Sequence, residues 1–168
     1  CNLIVTVGFA LSAATLTAAE ANPDVEFALI DDAADGDFDG TPDFENTKPI
    51  VFNTAQAAFL VGYAAASYSK SGVVATWGGM NFPTVTIFMD GFAQGVAYYN
   101  AEKGTAVKVL GYDPASPDTA TFTGGFEAND VAKSTAQNFI DQGADILLPV
   151  GGPIYQSAVA AIADSGKE

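Results

Sequence analysis

The chain has no histidine and no arginine, and its 168 residues include one cysteine, Cys1, and one tryptophan, Trp77. Each absence removes a class of chemistry. Without histidine there is no Ser-His-Asp or Cys-His machinery, no imidazole metal ligand and no imidazole acid-base step. Without arginine there is no bidentate clamp for phosphate or carboxylate. A lone cysteine forms neither an internal disulfide nor a thiolate cluster, so the redox compartment is not legible from it. No apolar run reaches the length of a membrane span. Positive charge is also scarce: six lysines against 20 Asp plus Glu leave a formal net charge of -14. That field repels phosphate backbones and anionic headgroups, which argues against nucleic acid and membrane surfaces as partners.

What is present suffices for a core. A hydrophobic content of 49% excludes global disorder, and the length suits one domain or two small ones. Apolar, β-branched runs read as strands at 3–7, 25–30, 49–52, 73–77, 106–111 and 145–150. The first of these begins at Leu3, too soon after Cys1 for the polar tether of a lipid anchor, and has no basic n-region to make it a signal peptide, so it reads as a buried strand. Between the runs lie helical segments at 11–21, 54–70, from Pro83 onward, 127–142 and 153–165. In the helix after Pro83, Val85, Phe88, Phe92, Val96 and Tyr99 recur at three- and four-residue steps and predict the core face. Strand and helix in alternation argue an α/β protein whose parallel sheet is covered on both faces.

In such sheets ligands bind beyond the carboxyl ends of the strands. Three loops are singled out on that ground: Gly8-Phe9, Gly78-Gly79-Met80-Asn81 and Gly151-Gly152. Glycine there lets backbone N–H groups approach a ligand beside a helix N-terminus, although a tight turn accounts for a glycine pair equally well. Neither GxxxxGK[ST] nor GxGxxG is present, so none is a phosphate loop.

An acidic segment forms a separate signal. Seven of the 20 acids lie between Asp31 and Glu45. Within it, Asp35-Gly36-Asp37-Phe38-Asp39-Gly40 fits the D-x-D-x-D-G opening of a calcium loop, with Asp43 available through water. The closing glutamate of an EF-hand is replaced by Asn46, and a strand instead of a helix precedes the loop. Ca²⁺ at Asp35, Asp37, Asp39 and Asp43 and a solvated acidic insertion are the two readings.

The ordered blocks Leu3 to Phe9, Pro23 to Ala28, Gln56 to Tyr63, Gly78 to Pro83, Gly91 to Gly95, Gly124-Gly125-Phe126 and Gln142 to Leu147 resemble the basic membrane protein family. Its members are PnrA-like nucleoside-binding lipoproteins of ABC importers. The resemblance implies a type I periplasmic-binding-protein fold, with Rossmann- or flavodoxin-like parallel sheets in two lobes that close on a ligand. It further implies a fragment of a longer protein, with 1–71 the later part of lobe one and 72–168 the first part of lobe two. By the same resemblance Phe126 is a clamp for a nucleoside base and Gly152, beside Gly151, a backbone contact. Gly125 stands where the family has serine, and Gln56 where many relatives have glutamate. The implied partners are a small-molecule ligand, a nucleoside, and ABC permease subunits, with a monomeric, membrane-anchored or periplasmic parent and no cofactor. Two alternatives remain: an enzyme using carboxylates such as Asp90, Asp130 or Asp145, and a sensory ligand-binding domain of the same shape.

Overall fold

A computed structural model describes residues 1–166 and divides them between two compact units, Cys1–Asn53 and the segment from Thr54 onward. In the first unit β1 (Leu3–Val7), β2 (Glu26–Ile30) and β3 (Thr47–Ile50) form a parallel sheet in the order β1-β2-β3. Helix α1 (Ser12–Ala21) follows a 3-10 turn at Phe9–Leu11. Its Leu16 packs with Leu29, Ala34 and Phe44 in the small core of this unit. Strand β3 starts and ends earlier than the expected 49–52. Pro49 therefore sits inside an edge strand, where its missing N–H breaks no ladder bond.

The run 3–7 forms its strand, but the expectation that it is buried fails. Leu3, Val5 and Val7 are 56%, 53% and 65% exposed. A parallel sheet needs helices on both faces and neighbours on both sides of an inner strand. Within the described residues β1 is the edge of a three-stranded sheet, and this unit contributes one α-helix.

The second unit contains α2 (Thr54–Tyr68), β4 (Val73–Gly78), α3 (Pro83–Lys103), β5 (Lys108–Leu110), α4 (Asp130–Asp141), β6 (Ile146–Val150) and α5 (Ile154–Ser165). Its parallel sheet runs β5-β4-β6. Alternation along β4 sends Ala75 and Trp77 to one face, where they meet Ala136, Phe139 and Ile154 of α4 and α5. Val74 points to the other face and meets Phe92 and Val96 of α3 together with Ala65 and Ala66 of α2.

Helices α2 and α3 approach through glycine. A methyl group at Gly62 would collide with the carbonyl of Phe92, one at Gly95 with the carbonyl of Phe59, and one at Gly91 would lie 2.6 Å from the carbonyl of Ala55. This contact places α2 in the compact unit that begins at Thr54, while the chain passes from one sheet to the other between β3 and β4, with β4 starting just after 71/72. It also turns α3. Val85, Phe92 and Val96 are buried as expected, but Met89 is fully buried while Phe88 is 38% exposed. Facing α2 with Gly91 and Gly95 rotates the core stripe by one residue.

The turn between α2 and β4 is held by Asp145, at the head of β6. Its carboxylate accepts hydrogen bonds from the Ser69 hydroxyl (2.6 Å) and from the N–H groups of Lys70 (2.6 Å) and Ser71 (2.8 Å). Partial burial pushes its pKa upward, but the bonds from Ser69, Ser71 and Lys70 outweigh that and hold it below the ordinary value of 3.8.

Two outcomes follow for stability. Gly95→Ala forces two backbones apart and is expected to cost about 1–3 kcal/mol in urea unfolding followed by Trp77 fluorescence. Because the pKa of Asp145 is depressed, its contribution is present above the unfolded-state value near 3.8 and is lost as pH falls through the folded one. Asp145→Asn is expected to lower stability at neutral pH by about 1–2 kcal/mol, reduced by its exposure, and to flatten the acid limb of the stability–pH profile. An acid limb unchanged by the substitution would remove Asp145 as its cause.

Candidate functional site

The carboxyl end of the second sheet gathers three of the loops that carry candidate residues. Strand β4 ends in Gly78, and the segment 121–124 runs alongside as a further, irregular edge. Gly78 N–H donates to Thr121 O (3.1 Å), Thr123 N–H to Gly78 O (3.0 Å) and Gly124 N–H to Gly79 O (2.9 Å). On the other side Gly79 N–H donates to Val150 O, at the end of β6 (3.0 Å). The chain beyond β4 is thus stitched to both neighbours before it turns into Met80 and Asn81.

Phe126 lies across this junction. A methyl group at Gly79 would strike its ring, and one at Gly151 would lie 2.5 Å from its Cδ1. The glycines therefore make room for the aromatic ring, and Gly151 also adopts φ 137°, which a side chain disfavours. Phe82 stands beside it with ring centroids 6.3 Å apart and planes 23° from parallel, a stacked pair. Phe126 is half-buried in the loop before α4. That helix starts at Asp130, later than the expected 127, and is capped by Asn129, whose side chain accepts from Ala132 N–H. Thr123 closes the loop by donating its hydroxyl to Gly125 O (2.8 Å).

Gly79, Gly151 and Phe126 are thus brought together. Met80, 39% exposed, and Asn81 lie on the same loop facing solvent, and Gly152 is exposed with open space where a Cβ would stand. Gly8 and Phe9 occupy the matching position in the first unit, after β1. Gly8 at φ 98° donates its N–H to Ile30 O (2.8 Å), and Phe9 opens the 3-10 turn. Next to them Ser12 donates to Asp32 (2.8 Å), which also accepts from Ala34 N–H (2.9 Å). Sequence reasoning missed Phe82 and Asp32. Phe82 was visible only as the residue before a helix-starting proline, and nothing in the sequence spacing pairs Asp32 with Ser12.

Asp145 holds a turn, Asp90 accepts from Gln94 within α3 (2.7 Å), and Asp130 is the first residue of α4, where a negative charge suits the helix dipole. An open groove of ≈ 430 Å³ between α2 and α3, lined by Phe59, Leu60, Asp90 and Gln94 among others, shares no residue with the loop cluster.

In the acidic loop the carboxylate oxygens of Asp35, Asp37 and Asp39 lie within 4.8 Å of one another. Asp35 is buried and accepts from Asp39 N–H (3.1 Å) and Gly40 N–H (2.8 Å), while Asp43 accepts from Gly36 N–H (3.1 Å) and so closes the loop. The Thr41 hydroxyl and N–H hold the Asp39 pKa below 3.8. An all-oxygen set of this kind suits a hard divalent cation.

A model of the Bmp family, described as ABC transporter substrate-binding protein PnrA-like, matches residues 1–168. Basic membrane protein D of Borreliella burgdorferi is 30% identical over 151 residues, covering 90% of this chain and 39% of that protein. An uncharacterized lipoprotein of Pyrococcus furiosus is 28% identical over 170 residues, covering 99% of this chain and 39% of that one. Among solved structures, an ABC transporter system solute-binding protein of Aeropyrum pernix superimposes with a TM-score of 0.75 at 26% identity, covering 98% of this chain and 43% of that one. The chain therefore spans about two fifths of the length of these relatives. At 14% identity and a TM-score of 0.65, the regulator CcpA of Lactococcus lactis shares the fold alone.

Calcium in the acidic loop is a proposal with a direct test. Millimolar calcium is expected to raise the melting temperature relative to chelator, and Asp37→Ala to abolish the rise. Equal melting in calcium and chelator would reduce the loop to a charged insertion.

Proposed function

The chain belongs to the PnrA-like family of ABC transporter substrate-binding proteins, and on that premise we propose that its parent protein captures a nucleoside and delivers it to a membrane permease. The observation that carries the reading is the seat of Phe126. Its ring is backed by Phe82 and set against Gly79 and Gly151 at the carboxyl end of the sheet, where it can meet a flat heterocycle by stacking. Exposed Gly152, Met80 and Asn81 are adjacent and supply backbone and side-chain polar groups.

Charge favours a nucleoside over a nucleotide. The chain has no arginine to clamp a phosphate, and its net charge of -14 repels an anion, whereas an uncharged base and sugar encounter neither obstacle. Relatives bearing the name lipoprotein support an extracytoplasmic, membrane-anchored parent. Among the described residues no helix is long and apolar enough to cross a membrane.

The reading is tested on the full-length parent, since a partial shell retains only part of the burial a closed pocket gives. Calorimetry with adenosine, guanosine, inosine, cytidine and uridine is expected to show binding of at least one. Phe126→Ala should weaken that binding by about 1–3 kcal/mol, the range of base–aromatic stacking. Binding of none of the five discards the nucleoside. Unchanged affinity in the variant discards the clamp.

A further inference from the structure

Charge is divided unevenly between the two units. Residues 1–53 hold ten carboxylates against one lysine, Lys48, while the remainder holds ten against five. In the first unit Glu20, Asp24, Glu26, Asp37, Asp39 and Glu45 are all exposed. The two ion pairs formed among the described residues, Lys103 with Glu102 and Lys133 with Asp164, both lie in the second unit. The first unit is centred on Leu16, Leu29 and Ala34, whereas the second has three clusters that bury Trp77, Phe92 and Met89.

A compact body carrying unneutralised charge of one sign repels itself, and the repulsion acts against folding. Its reach depends on the medium, because the screening length falls from about 10 Å at 0.1 M salt to about 3 Å at 1 M. Where ten carboxylates face a single lysine, the missing counter-charge has to come from solution. We infer that this fold is built for a concentrated salt medium, with monovalent cations such as K⁺ or Na⁺ supplying collectively the counter-charge that the chain lacks. Residues 1–53 are the part that gives way first when salt is withdrawn. The effect belongs to the whole carboxylate-rich surface and needs no discrete cation site. It is independent of the ligand reading above.

Trp77 makes the test selective, because the only tryptophan is fully buried in the second unit. The 168-residue chain is melted in chelator, so that a calcium site cannot contribute, at KCl from about 0.1 M to about 3 M. Far-UV circular dichroism follows both units, and tryptophan fluorescence follows the second alone. The expected result is a midpoint that rises with KCl by about 10 °C, with loss of dichroism preceding the change in Trp77 emission at the low-salt end. A triple variant, Glu20→Gln, Asp24→Asn and Glu26→Gln, removes three exposed carboxylates outside the acidic loop. It is expected to raise the low-salt midpoint and flatten the salt dependence. A midpoint indifferent to KCl overturns the inference, as does a Trp77 transition that leads or coincides with the loss of dichroism. So does a variant with the parent's salt slope, which would assign the effect to general strengthening of apolar burial.

Discussion

Helices α2 and α3 meet backbone to backbone, and the second unit is arranged around that contact. Gly62 faces the carbonyl of Phe92, Gly95 that of Phe59, and Gly91 that of Ala55, with no space for a Cβ at any of the three. Glycine inside a helix costs about 1 kcal/mol relative to alanine, so three such positions are tolerable only if close approach returns more through dispersion and burial. The return is visible in Ala65 and Ala66 of α2, which reach the core beside Phe92 and Val96. Pinning α3 in this way also fixes its first turn. Phe82 and Pro83 stand where β4 ends, and Phe82 is thereby held alongside Phe126.

The same device recurs at the carboxyl end of the sheet. Gly79 and Gly151 admit the ring of Phe126, and Gly111 admits the carbonyl of Thr76 on one side and the ring of Phe139, 2.9 Å from a would-be Cβ, on the other. These glycines are sites of close contact within the protein first, and amide donors to a ligand only where the N–H remains available. At Gly79 it does not, since Val150 O accepts it. On the proposed reading, recognition in this unit would rest more on a fixed aromatic surface than on a glycine-rich amide cradle, and the exposed Gly152 would be the better placed of the two later glycines for backbone contact.

The order of elements and the parallel pairing follow from runs of apolar residues separated by helical spacing, which are local signals, whereas the separation into two three-stranded sheets was implied only by the family resemblance. Features that depended on a neighbour were harder to read. The run 3–7 has the composition of an inner strand and sits at an edge, because composition records what a strand is suited to and not whether its neighbours are present. Phe88 and Met89 are both apolar and one step apart, and only the glycine contact with α2 decides which faces the core. Helix α4 begins three residues later than its apolar pattern suggests because Asn129, a residue with a capping side chain, ends the loop. The pairing of Phe82 with Phe126 joins residues far apart in the chain, and no local pattern announces it. Conversely, the convergence of Asp35, Asp37 and Asp39 was legible, since alternate residues around a tight glycine turn are brought together by local geometry alone.

Composition constrains the medium and the ligand together. A surface with this excess of carboxylates and without arginine is poorly suited to holding anions, and at low ionic strength it works against its own fold. Concentrated salt relieves the second problem by screening, but it also weakens any recognition that relies on charge between exposed groups. What survives such screening is apolar contact, which excluded salts strengthen or leave intact, and short hydrogen bonds in sheltered geometry. A ring stacked on a second ring and set against two glycine backbones belongs to that class. On the two proposals made for this chain, the aromatic seat at Phe126 and the acidic surface answer the same constraint: charge would serve the relation with solvent, and packed aromatic surface would be left to serve the relation with ligand.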